Sequence, residues 1–586
     1  MHSVQQILER ALADAIEDTL GPSHSPYAQV RRCADGRFGD YQCNTLIALA
    51  KQLGTNPRTL AEEVAEELAT YVEEISEPPE VAGAGYINFR LKPAFLATHL
   101  AEAIAHQHLG VPSTATPHTI VLDFSSPNIA KPMHVGHIRS TILGDALARI
   151  LRFVGHQVIT DNHLGDWGTQ FGYLIVGWKK HRDDLELTRE PLAECERLYK
   201  LVYAQAEANP AVKNEARAEL ANLQAGDPEN LAIWNRIRET SLAAFEKIYV
   251  RLGVKFDHSH GESFYNPRLS ALVKNLRESG LAQESDGAVC IFSDGKLPPK
   301  DDPFLINKDG EWKPNPFIIQ KADGAFLYAT TDLATLQYRM ETWNSQDILY
   351  LTDARQKLHF RQLFAAAARW NITGNTRLHH ITFGSILGGA GKPLATRDGE
   401  PPKLAELLDE AESRALAIVE EKNPELPENR KRQIARVVGL GALKYADLSS
   451  NRTTDYSFSW EKMLAMSGNT APYLQYTYVR ISSIFRKGET TSVANIDLAH
   501  PAELDLAKHL LRFPEAIYVV LEEYRPHHLC SYLYELATKF ATFYEACPVL
   551  KSSEPARSTR LALCQLTAAI MKQGLDLLGI ETIEQM

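Results

Sequence analysis

The sequence predicts an α/β fold: a doubly wound parallel sheet with a helical insertion, preceded by a small α/β domain and followed by an all-α domain. Three observations carry this. Thr119-Ile120-Val121-Leu122-Asp123-Phe124 is a short apolar run of the kind a buried parallel strand needs. After a polar loop, Ile138, Ile142, Leu147, Ile150, Leu151 and Val154 recur at helical spacing, Gly155 stops the helix, and Gln157-Val158-Ile159-Thr160 reads as a second strand. From Leu404 to the end the pattern is almost wholly helical, without clear strand signals after Asp505. A chain of 586 residues exceeds one core, since domains usually run about 100 to 200 residues, so three or four domains are expected.

In chain order, residues 1–112 form the first domain. Two helical stretches flank the irregular Asp35-Gly36-Arg37-Phe38-Gly39-Asp40-Tyr41, and Gly83-Ala84-Gly85-Tyr86-Ile87-Asn88-Phe89 reads as a turn into a strand. Gly110 to Pro117, small and proline-bearing, is a linker. Residues 113–400 hold the sheet, with the charged helical stretch at about 179–261 as its insertion. Further strands are expected at Phe326-Leu327-Tyr328, Asp347-Ile348-Leu349-Tyr350-Leu351 and His380-Ile381-Thr382-Phe383. Residues 401–460 form a helical connecting region, and 461–586 the all-α domain.

Hydrophobic content of 44% and charged content of 23% describe a soluble globular chain. No stretch approaches the roughly 18 apolar residues of a membrane helix. Glu9, Asp14 and Glu17 make the N-terminus an amphipathic helix rather than a signal peptide. The seven cysteines are scattered without a CxxC pair, which points to reduced thiols in the cytoplasm. The pairs His379-His380 and His527-His528 face different ways and read as packing, so no metal site is expected. A net charge of −11 argues against a general nucleic-acid binder but leaves room for reading one folded RNA through local patches.

The loop after the first strand reads Ser125-Ser126-Pro127-Asn128-Ile129-Ala130-Lys131-Pro132-Met133-His134-Val135-Gly136-His137. It opens a helix, where backbone amides and the dipole favour phosphate. Two histidines three apart can donate to one phosphate group, Gly136 permits close approach, and Lys131 adds a full charge. Taken alone, the histidines fit helix capping equally well; the strand-loop-helix setting and the lysine favour the phosphate.

His134 to His137 resembles the HIGH signature of class I aminoacyl-tRNA synthetases. The flanks, Asn128-Ile129-Ala130-Lys131-Pro132 and His163-Leu164-Gly165-Asp166-Trp167-Gly168-Thr169-Gln170-Phe171-Gly172, resemble the arginyl-tRNA synthetases, and the likeness runs from Phe38-Gly39-Asp40-Tyr41-Gln42 to Met586. The resemblance implies a Rossmann-like catalytic domain that joins L-arginine to tRNA-Arg through arginyl-adenylate. ATP is consumed with Mg2+ as its counter-ion, and the enzyme is expected to act as a cytoplasmic monomer. ATP would bind along Ala130, Lys131, Pro132, Met133, His134, Val135, Gly136 and His137. The second signature of the class, KMSKS, is degenerate here: in Gly391-Lys392-Pro393-Leu394-Ala395-Thr396-Arg397 its second lysine falls on Ala395. The resemblance implies that the lysine just before HIGH compensates, so the catalytic charge is assigned chiefly to Lys131, with Lys392 and Arg397 behind it.

A guanidinium is planar, permanently charged and carries five donors, so its pocket should offer carboxylates and amide acceptors at strand ends. Asp123 ends the first strand, Tyr328 and Asp332 face one point if their turn is helical, and Gln356 follows the strand ending at Leu351. The resemblance implies arginine binding by Asp123, Ser125, Asn128, His163, Tyr328, Asp332 and Gln356. In the C-terminal domain Tyr473, Tyr476 and Arg480 lie on one helix, which suits either a core stripe or stacking of unpaired bases. The resemblance makes them, with Met586, contacts to the anticodon, and gives the N-terminal domain the outer corner of the tRNA.

Overall fold

The computed structural model describes residues 2–388, 391–392, 394–395, 401–487 and 496–586. The chain divides into two compact units, Ala115–Met463 and, jointly, Met1–Thr114 with Leu464–Met586.

In the first of these units, β1 (Thr119–Asp123) leads through the His134 loop into α1 (Gly136–Phe153) and β2 (Gln157–Asp161). Helices between Gln170 and Leu252 follow, among them α2 (Pro191–Ala208) and α3 (Pro228–Leu252). After α4 (Glu262–Glu278) and α5 (Tyr328–Trp343) come β3 (Asp347–Asp353), α6 (Lys357–Trp370), β4 (Arg377–Phe383) and the short β5 (Ile386–Leu387). The unit ends with α7 (Leu404–Lys422), α8 (Glu428–Leu448) and β6 (Tyr456–Ser457), which pairs in parallel with β5.

The main sheet is parallel throughout, in the order β4-β3-β1-β2. The chain therefore leaves β1 in one direction and β3 in the other. Open α/β sheets bind ligands at the carboxyl ends of strands where the order reverses, which here is the crevice between β1 and β3. Both faces of this sheet are covered, so the strands read as nearly continuous apolar runs. Val121, Ile348 and Tyr350 pack with Leu333 and Leu336 of α5, Leu363 and Ala366 of α6, and Leu269 and Leu272 of α4.

Two local readings change. Phe326-Leu327-Tyr328 is not a strand: Phe326 makes a single bridge to Gln320, and Leu327 caps a helix that starts at Tyr328. Three apolar residues in a row satisfy a buried strand and the first turn of a buried helix equally, and the following Ala329, Leu333 and Leu336 belong to the helical period. The sequence reading also passed over an antiparallel layer, strands Gln283–Ser285, Ala288–Ile291 and Phe317–Gln320, with a hairpin Leu305–Lys308/Glu311–Pro314 between them.

The second unit joins both ends of the chain. An antiparallel four-stranded sheet (31–32, 41–43, 86–89, 80–82) is accompanied by helices Val4–Leu20, Thr45–Leu53, Pro57–Tyr71 and Pro93–Ala105. The C-terminal part is helical, from α9 (Ala471–Lys487) to Ala556–Leu577. Buried Tyr41 donates to Glu515 at 2.6 Å, and Lys508 pairs with Asp40 at 2.7 Å, so the two ends share polar bonds as well as a core.

Candidate active site

The loop between β1 and α1 is strained and heavily braced. Ser125, Ser126 and Ala130 have φ of 71°, 48° and 66°, each costing about 1–3 kcal/mol for a residue with a side chain. Neighbouring elements hold them there. Ser125 N–H donates to Ser140 Oγ (2.9 Å), Ser126 N–H to Asn162 Oδ1 (3.0 Å) and Ala130 N–H to Ser241 Oγ of α3 (2.9 Å). Asn128 bridges to Gly165, where a Cβ would stand 1.9 Å from Asn128 Oδ1, so the close approach needs glycine.

The two histidines are set by backbone bonds. Gly136 N–H donates to His134 Nδ1 at 3.0 Å, and His134 N–H donates to His137 Nδ1 at 3.1 Å. Each Nδ1 is thus an acceptor, which leaves Nε2 of both neutral rings as the N–H donor. The ring centroids are 4.0 Å apart. Burial, with His134 beside it, pushes the His137 pKa down to about 4; burial and Lys131 lower that of His134. A Cβ on Gly136 would lie 2.8 Å from His134 Cε1, so this glycine makes room for the folded-back ring. Lys131 is exposed and lies over the Tyr199 ring of α2, 4.8 Å from its centroid. Ala130, Met133 and Val135 are buried and Pro132 is half-buried.

A second group of side chains, at the starts of α4 and α5, forms an acidic pocket with His163 and His359. Tyr328 begins α5 and Asp332 follows one turn later, so the stretch between them is helical. Asp332 Oδ2 bonds His359 Nε2 at 2.5 Å, and its Oδ1 is 3.9 Å from His163 Nε2. Tyr328 is exposed, its ring 4.8 Å from that of His359. The sequence reading missed Glu262, in the first turn of α4. Burial, reinforced by Asp332 and Asp166, raises its carboxyl pKa to about 7, although His163 opposes this. Neither Asp332 nor Glu262 pairs with a lysine or arginine among the described residues. A half-buried carboxylate pair without a fixed cation is one that a cation can complete. The position of Glu262 just after Gly261 carries no motif that spacing alone picks out.

Other expected ligands are placed differently. Asp123 already faces a guanidinium, that of Arg339, which is fully buried: Nη2 lies 2.7 Å from Asp123 Oδ2 and 2.9 Å from Asp161 Oδ2. Burial pushes the Asp161 carboxyl up, but Arg339 and His260 outweigh it and hold it well below the usual range. Asp123 Oδ1 also accepts from Ser126 Oγ at 3.0 Å, so this residue braces the loop. Ser125 is buried, its hydroxyl shared with Tyr249 and Thr141 at 2.8 Å each. Asn128 is exposed at the crevice, and Gln356 is exposed in the turn after β3, without a hydrogen bond to the Asp332 cluster among the described residues. Lys392 is exposed, and Arg397 lies outside the described residues.

In the other unit α9 carries Tyr473, half-buried beside Tyr534, and exposed Tyr476 and Arg480, the last over the Tyr544 ring at 4.5 Å. The C-terminal tail runs along this helix: Gln475 donates to Glu581 O (2.8 Å), Tyr478 to Glu584 Oε1 (3.0 Å) and Arg486 to Glu584 O (2.7 Å). Met586 follows two residues beyond Glu584.

Comparison with known proteins agrees with this architecture along its length. The family described as "tRNA synthetases class I (R), catalytic domain" matches residues 99–460, the "DALR anticodon binding domain" 474–586 and the "Arginyl tRNA synthetase N terminal domain" 3–91. Arginine–tRNA ligases of Hahella chejuensis and Citrobacter koseri are 45% and 44% identical, each covering all of both chains. Among solved structures, the arginyl-tRNA synthetase of Plasmodium falciparum superposes with a TM-score of 0.83 at 30% identity over the whole of both chains. That of Thermus thermophilus gives 0.81 at 27%, covering 99% of this chain and 100% of the other. The chain therefore belongs to the arginyl-tRNA synthetase family of class I tRNA synthetases.

Proposed function

We infer that the chain is an arginine–tRNA ligase that works in two steps at the crevice between β1 and β3. The arginine carboxylate attacks the α-phosphorus of ATP, forming arginyl-adenylate and expelling pyrophosphate. A hydroxyl of the tRNA-Arg 3′ end then attacks the adenylate carbonyl, and AMP leaves. The acidic pocket supports arginine most directly. Asp332 and Glu262 would take the guanidinium, with Tyr328 over its face and Asn128, His163 and Gln356 toward the rest of the amino acid.

The Nε2–H groups of His134 and His137 and the ammonium of Lys131 would meet charge growing on the phosphates. Such preorganised donors act without reorganising during the step. Lys392 and Arg397 would approach from the second signature, which is short of one lysine. The loop 125–137 offers nitrogen donors and no carboxylate, so Mg2+ would arrive held by the ATP phosphates. Asp123 and Ser125 serve as positioning residues beneath the loop. Tyr473, Tyr476, Arg480 and Met586 would meet the anticodon, in a cytoplasmic monomer. No helix among the described residues is long and apolar enough to cross a membrane.

Exchange of pyrophosphate into ATP, run with each amino acid in the presence of tRNA, tests this reading. Arginine alone should support exchange, and exchange driven equally by another amino acid would refute it.

A further inference from the structure

The segment that leads out of the second signature loop is tied to the first. Val135 N–H donates to Pro402 O at 2.9 Å and Leu404 N–H donates to Met133 O at 2.8 Å, which makes His134 and Lys403 a bridge pair of antiparallel strands. The two bonds flank the pair rather than join it, so this is the non-hydrogen-bonded kind, in which Cα atoms stand about 4.5 Å apart and side chains are closest. Directly paired residues project to one face, with Cβ atoms about 4.5–5.5 Å apart. Lys403 thus shares the face of His134, whose Nε2–H the backbone has left free to donate. Its side chain is exposed and forms no ion pair among the described residues; Glu406, one turn along α7, does not claim it.

We propose that Lys403 is a further phosphate-contacting cation of the ATP site, supplying charge that the degenerate second signature lacks at Ala395. This rests on the reading of His134 and His137 as phosphate donors. Lys131 approaches the phosphates from the chain before His134, beside the helical insertion. Lys403 approaches from the neighbouring strand, so the two ammonium groups flank the histidine pair. Because Pro402 and Leu404 on either side of Lys403 are bonded into the loop of His134, its charge keeps a fixed register with the donors there. The pairing is an isolated bridge and Lys403 is exposed, which leaves its long side chain for a ligand.

The test compares Lys403→Met with Lys403→Arg in the full chain, measuring adenylate formation with tRNA present and checking the fold by circular dichroism. Lys403→Met should lower kcat by about 10²-fold, as loss of one preorganised donor does, with KM for arginine unchanged. Lys403→Arg should keep most of the rate, since a guanidinium also binds phosphate. A wild-type kcat in Lys403→Met overturns the proposal, as does a loss that arginine fails to restore or one matched by an equal rise in KM for arginine. His137→Ala, assayed alongside, separates the two readings. Loss there with a normal Lys403→Met rejects only the role of Lys403, whereas a normal His137→Ala rejects the phosphate loop itself.

Discussion

At the scale of single residues, charge placement decides what the crevice accepts. Asp332 is bonded to His359 and lies near His163, and Glu262 accepts from the Trp167 N–H, so a bound guanidinium would supply the missing positive charge. Asp332→Asn keeps the shape and removes one charge; breaking a buried charged pair on one side costs about 3–5 kcal/mol, which is roughly a hundred- to several thousandfold. Steady-state kinetics should show KM for arginine rising by that order while KM for ATP stays near its original value. Glu262 adds a pH dependence of known sign. Its pKa in the arginine-free enzyme is raised to about 7, so it is protonated and uncharged below that pH. Arginine affinity should fall as the pH drops through about 7, and titration calorimetry on Glu262→Gln should find this dependence gone. His137 behaves oppositely, as a base kept neutral. With its pKa lowered from 6.5 to about 4, the folded state refuses a proton that the unfolded chain accepts, so stability is lost as pH falls from about 6.5 to about 4. Thermal melts of His137→Gln should show a shallower loss across that window.

At the scale of elements, the site is a strained loop held between a strand and a helix by groups from four neighbours. Gly136→Ala tests this, because its Cβ would meet the His134 ring at 2.8 Å. A Gly-to-Ala change in a helix favours it by roughly 0.5–1 kcal/mol, so the melting temperature should hold while adenylate formation falls. A parallel loss of both would make the loop a structural feature only. The sequence disclosed much of this arrangement. Thr119–Phe124 followed by a helical period carries a period change that local sterics enforce, and Tyr328 with Asp332 is a spacing any helix honours. Other parts were illegible for physical reasons. The strands between Gln283 and Gln320 are three or four residues long, too short for an alternating pattern to declare itself. Glu262 acquires its meaning only where α4 meets α5, a contact across 70 positions of chain. Asp123 was read as waiting for a substrate guanidinium, and no pattern announces that the buried Arg339 of α5, 216 residues further along the chain, already occupies it.

At the scale of the whole molecule, two compact units divide the work: one holds the crevice, the other the α9 helix with the C-terminal tail bonded along it. Lys403 caps α7 and its neighbours are bonded to the His134 loop, so the helices that follow are mechanically continuous with that loop. Binding energy gained on RNA can be used to order such a loop, in the induced-fit manner. A preference of about 3 kcal/mol for the ordered state shifts the equilibrium by more than roughly a hundredfold. Pyrophosphate exchange is therefore expected to require intact tRNA, and rapid exchange without RNA would reject the coupling while leaving the choice of amino acid untouched. That choice is the central claim, and one measurement addresses it most directly: tRNA-dependent pyrophosphate exchange by the wild-type chain and by Asp332→Asn, each offered all twenty amino acids. The wild type should exchange with arginine alone, and the variant should need far more arginine at an unchanged concentration of ATP. Exchange of the wild type with a different amino acid, or a variant indistinguishable from it, would contradict the account.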